Sequence, residues 1–180
     1  MEKFSLWCHW NDVHQMKELL SLHAIQEEIN LIKAYPTDLE AHAALANAYI
    51  MLYKLYLDPQ RIYSFIASKY SSPEMAQKFQ KAASRALEEL KIVTHYAQND
   101  LWVRSQMAVV YHDLGLFEKE VGEYETLVKM VPKDKELLFR LGVLYFKEGK
   151  NGEALRIYEQ LRQAKNPKAE ELISHYGHLN

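Results

Sequence analysis

This sequence is poor in punctuation. Six Gly and five Pro in 180 residues leave few tight turns, and β-branched runs are scarce, so a hairpin-rich sheet is not expected. The single cysteine, Cys8, excludes an internal disulfide and suits a reducing compartment. No apolar run reaches the roughly 20 residues that span a bilayer, so membrane insertion is not expected. The opening MEKFSLWCHWND has no long apolar core and no small-residue cleavage site, so a cytoplasmic location is the expectation. Net charge is −2, with Lys and Arg spread among Asp and Glu. Phosphate backbones need a basic face, and none is visible, so no nucleic acid partner is expected.

Chemistry-bearing patterns are missing too. Eight histidines invite a metal reading, but His175 and His178 stand beside no close carboxylate or thiol, and Cys8 and His9 share no helical face. No phosphate-cradling glycine loop and no nucleophile elbow occurs. The expectation is therefore no catalytic residue, no metal, no cofactor and no enzyme.

What is present is helix. Ala, Leu, Glu, Lys and Gln dominate, and 48% of residues are apolar, enough for a core without staples. A repeat emerges when residues 137–161 are set beneath residues 103–127. Leu141 falls on Met107, Gly142 on Ala108, Tyr145 on Tyr111, Gly149 on Gly115 and Tyr158 on Tyr124, always at an offset of 34. Asp134 repeats Asp100 at the same offset, each just before a helical stretch whose first amides its carboxylate can cap. Small residues at 108 and 142 let two helices approach, and Gly115 and Gly149 end the first helix of each unit. Pro132 prevents continuation of the second helix.

Leu138-x-x-Leu141-Gly142-x-x-Tyr145, followed by Ala154-x-x-x-Tyr158 and Pro167, resembles the tetratricopeptide-repeat signature. Pro167 comes one residue late, and the preceding unit carries Glu120 where a small residue normally sits. The resemblance implies an all-α fold: a short right-handed α-solenoid of antiparallel helix hairpins. Units are expected at 101–134 and 135–167, with 168–180 as a covering helix. Asp38, Leu45, Ala46 and Tyr49 reproduce a first helix, while Ala86, Leu90 and Val93 reproduce a second. Asp38 and Asp100 lie 62 residues apart, and removing one period of 34 leaves 28 extra residues inside a single repeat, 39–100. Residues 13–35 read either as one long helix or as a degenerate hairpin within an N-terminal segment, 1–38.

The interruption falls at about 53–80. Tyr53 stands where the other units have glycine, so the first helix should run on about one more turn. Asp58-Pro59 then starts a short extra helix to about residue 70, and Ser72-Pro73 opens a long one through roughly Tyr96. Ile62, Phe65 and Ile66 share a face with Tyr56, Tyr63 and Tyr70 nearby. They form either a private mini-core with Met75 and Phe79, or a partner-facing aromatic interface carried by Tyr56, Tyr63, Phe65 and Tyr70.

The resemblance also implies a concave groove lined by first helices and accepting a peptide or helix. Carried over, its positions are Ala43, Ala44, Asn47 and Ile50, then Ser105, Gln106, Val109 and His112, then Phe139, Arg140, Val143 and Lys147. The central candidates are Asn47, Ile50, Gln106, Val109, Phe139, Arg140 and Val143. Asn47 and Arg140 match a carboxylate clamp found in some members, but Ala43 and Glu136 stand where that clamp has lysines. Glu136 can instead pair with Arg140 on its own helix. The function implied is a protein-interaction scaffold holding a protein or peptide partner. A dedicated chaperone for a secreted or assembling client is the alternative, and a homo-oligomer built through the aromatic insertion is a third reading.

Overall fold

The structure, a computed structural model, describes the backbone of residues 2–57 and 73–179 and the side chains of 12–57 and 73–176. Within them it is all-α, with eight helices and no strand. The expected extra helix at 59–70, with Tyr63, Phe65 and Tyr70, lies outside the described residues. The chain divides into two compact units, Met1–Gln98 and Asn99–Asn180.

The N-terminal unit holds α1 (Glu2–Ala34), α2 (Leu39–Tyr56) and α3 (Pro73–Tyr96). Without Gly or Pro to break it, α1 runs as one helix of 33 residues, which decides between the two readings of 13–35. Asp38 caps α2 by accepting from the amides of Glu40 and Ala41 at 3.0 and 3.3 Å. Pro73 takes the first position of α3, where its missing N–H costs nothing.

Antiparallel pairing of α2 with α3 is fixed at both ends. His42 Nδ1 lies 2.6 Å from Glu89 Oε2, and the Tyr53 ring meets Phe79 edge-on at 5.6 Å. The two halves of the interrupted hairpin therefore do find each other. Between them Leu45, Ala83, Ala86 and Leu90 are buried, the alanines allowing close approach. From the other side Ile25 of α1 joins this core, and the Tyr56 hydroxyl donates to Glu18 Oε1 at 2.6 Å.

The C-terminal unit holds α4 (Leu101–Asp113), α5 (Phe117–Met130), α6 (Lys135–Lys147), α7 (Asn151–Gln163) and α8 (Lys168–Leu179). Asp100 and Asp134 cap α4 and α6 as expected, the first bonding Val103 N at 2.9 Å and the second Glu136 N at 2.9 Å. Gly115 and Gly149 both sit at φ 70°, the left-handed region that a side chain disfavours. Around them Leu116 N bonds Tyr111 O at 2.9 Å and Lys150 N bonds Tyr145 O at 2.8 Å, closing the same helix-ending motif twice. Lys165 ends α7 in the same way at φ 52°, without glycine.

Close packing accounts for Gly142. A Cβ there would stand 2.8 Å from Leu172 Cδ2 on α8 and 3.2 Å from Ile157 Cγ2 on α7. Leu127, Leu138, Leu161 and Leu172 fill the core around it. Tyr145 reaches from α6 to α5, its hydroxyl donating to Glu125 at 2.9 Å. Burial, together with that carboxylate, pushes its pKa up to about 12.

Candidate functional site

In the N-terminal unit α1 and α3 flank α2 without closing over its whole length. A cleft of about 840 Å³ remains between them. Leu45, Tyr49, Leu52 and Tyr56 of α2 line its floor, spaced at three, four and seven residues so that they share one side of the helix. Leu22, Ile25, Ile29 and Ile32 of α1 form one wall, and Ala82 continues the apolar surface onto α3. Charged side chains are confined to the rim: Glu18 and Lys33 on α1, Lys78, Lys81, Arg85 and Glu89 on α3.

The two rim carboxylates are already engaged. Glu18 accepts from Tyr56 and, at 3.2 Å, from Lys78 Nζ. Burial alone would raise the Glu18 pKa, but these two donors outweigh it and lower it. Burial and the Glu18 hydrogen bond together push the Tyr56 hydroxyl far up, so it remains a donor. At the opposite end Glu89 is held by His42, whose Nε2 also meets the Pro36 carbonyl at 3.1 Å. Burial would lower the His42 pKa, yet the bonds to Glu89 and Pro36 prevail and raise it. With acceptors at both ring nitrogens, His42 serves best as an imidazolium donating twice.

The cations are less occupied. Lys33 and Lys81 have no carboxylate within ion-pair distance among the described residues. Among the described residues Arg85 is tied only to Glu88, 2.7 Å away on its own helix, an exposed pair of little energetic weight. The cleft thus combines an apolar floor with a positive edge. Among the described residues no group of three His, Cys, Asp or Glu is placed to hold a metal, and no helix is long and apolar enough to cross a membrane.

The residues expected to line a groove have mixed positions. Asn47 is exposed and borders a smaller recess of about 340 Å³ with Ala44 and Met51 of α2 and Leu20 and Ala24 of α1. The α2 residues of this recess are not those that floor the large cleft. Ile50 is only 3% exposed and belongs to the core, which corrects its assignment to an open surface. Gln106 and Val109 are half-buried on α4. Phe139, 9% exposed, is also corrected: α8 brings Lys168 Nζ to 4.6 Å above its ring and His175 to 5.9 Å. Val143 is half-buried and packs against the same core.

Arg140 is exposed but committed within the chain. Its Nε donates to Glu136 Oε1 at 3.1 Å, and Lys168 Nζ reaches the other Glu136 oxygen at 2.6 Å. A bond to Tyr124, then the one to Glu136, raises the Arg140 pKa further. Lys168, then Arg140, lowers that of Glu136. A ligand carboxylate would have to compete with Glu136 for both cations, which disfavours a carboxylate clamp here. Tyr56, expected at an aromatic interface, is 7% exposed because α1 lies over it.

Sequence reasoning did not find the large cleft. Its wall on α1 reads as an ordinary buried stripe, and nothing local reveals that α3 stops short of covering it. One available signal was Lys78, Lys81 and Arg85 running along one face of α3, toward which the apolar stripe points.

No protein-family model matches this sequence, and no curated protein matches it. Among solved structures, the chain is similar to TTC0263, a thermophilic tetratricopeptide-repeat protein of Thermus thermophilus. The TM-score is 0.51 at 24% identity, over 91% of this chain and 74% of that one. MamA is also found, with a TM-score of 0.41 at 19% identity over 83% and 86% of the two chains.

Proposed function

We propose that this chain, whose fold is that of tetratricopeptide-repeat proteins, is a non-enzymatic protein-interaction scaffold. It holds an apolar segment of a partner protein in the cleft between α1 and α3. One observation carries this reading: about 840 Å³ of largely apolar concavity stays open between α1 and α3. Binding there is burial of apolar side chains with a few charge contacts at the edge, without covalent chemistry.

The test uses a photo-crosslinking amino acid at Leu22, on the cleft wall, to capture and map the bound segment of a partner. Ile29→Arg places a charge within the cleft. It should reduce capture at least tenfold while helicity by circular dichroism is unchanged. Asn47→Ala probes the groove position of the same unit in parallel. Capture lost with Asn47→Ala but kept with Ile29→Arg would move the binding surface away from the cleft.

A second reading, a dedicated chaperone keeping one client soluble, is supported by Met16, Leu19 and Leu20. They are 62%, 68% and 62% exposed on one face of α1. Such a chaperone raises the soluble fraction of its client on co-expression; a scaffold leaves it unchanged.

A further inference from the structure

We infer that the cleft between α1 and α3 selects an amphipathic helix of a partner protein, one whose apolar stripe is edged with carboxylates. This rests on the scaffold reading and names the chemistry of the partner.

Shape is the first argument. The cleft extends along α1 from Glu18 to Lys33, about 22 Å at 1.5 Å per residue, which is about four turns of helix. Its walls are two helices and its floor a third, so an occupant helix lies where a fourth would pack. Its floor and α1 wall present apolar side chains, the surface that a helical stripe with apolar residues at three and four spacing covers.

Charge is the second. Glu18 is paired with Lys78, and Glu89 is hydrogen-bonded to His42, within the chain. Lys33 and Lys81 have no carboxylate partner among the described residues, and Arg85 has only its exposed neighbour Glu88. The edge therefore presents positive charge to whatever enters. Covering the cleft draws these cations out of water, which is unfavourable unless the occupant supplies opposite charge. Lys81 and Arg85 are four residues apart on α3, about 6 Å along the axis. Carboxylates spaced i, i+4 on the edge of an occupant helix match that separation. A basic helix meets repulsion on the same edge, so the discrimination is two-sided.

The experiment uses two synthetic helical peptides of 16 residues with identical apolar stripes, one edged with Glu and one with Lys. Both are labelled and titrated with the full chain by fluorescence anisotropy. The acidic-edged peptide should bind at least tenfold tighter, and the difference should shrink as salt screens it. Lys81→Glu with Arg85→Glu, both at exposed positions, should reverse the order without loss of helicity. Equal affinity for the two peptides would overturn the inference while leaving apolar recognition by the scaffold intact. Failure of both peptides to bind would overturn the inference and the cleft as a protein site together. Laurate binding in that last case would assign the cleft to a fatty anion instead.

Discussion

The two units end their hairpin helices differently. In the C-terminal unit α4 and α6 have 13 residues each, and glycine at φ 70° stops both. In the N-terminal unit the equivalent helix, α2, has 18 residues, because Tyr53 replaces the stop glycine and is wholly buried against Phe79. The five additional residues lengthen α2 by about 7 Å. They carry Tyr56, which lines the cleft and ties α1 down through Glu18. Losing a stop signal here lengthened the floor of a cleft.

Breaking the comparison at its centre should have the largest effect. Tyr53→Ala removes a buried ring and should cost about 3–5 kcal/mol in urea unfolding. A cost below about 1 kcal/mol would show that Tyr53 does not hold α2 to α3.

In the C-terminal unit the matching test is Gly142→Ala. Its Cβ meets the buried Leu172 at 2.8 Å, and the overpacking should cost about 1–3 kcal/mol. An unchanged urea midpoint would mean that α8 can yield.

Next comes His42→Gln, which loses a charge-assisted bond to Glu89 and should cost about 2 kcal/mol at pH 6. The folded pKa of His42 is raised, so its contribution is fully present below about pH 6.5, the usual histidine value. It is lost as pH climbs through the higher folded value. Stability curves of the parent and the variant should therefore converge toward alkaline pH; parallel curves would remove the charged pair.

The smallest effect sharpens the contrast from the other side. Lys165 holds a left-handed turn at φ 52° with a side chain attached, so Lys165→Gly should stabilise by about 1 kcal/mol. Differential scanning calorimetry would register it as a melting point a few degrees higher.

Features set by neighbours in the chain were legible in advance. Asp38, Asp100 and Asp134 cap helices because a carboxylate two or three residues before free amides is an intrachain matter. Even the α2–α3 pairing was readable, since a repeat period shows what an insertion has displaced. Ile50, Phe139 and Tyr56 were not, because their exposure depends on which other helix lies over them. Phe139 is covered by side chains from α8, more than 25 residues further on, and no pattern around Phe139 announces that.

Where α2, α4 and α6 start and stop was written in single residues: Asp before, Gly after, Tyr53 where a stop is missing. Hydrogen bonds spanning a few residues decide such ends, so local chemistry suffices. Which apolar side chains lie open was settled only by packing. The stripe on α1 is apolar along its length, but whether it is core or binding surface depends on the gap left beside α3, a distance between remote segments that no local rule contains.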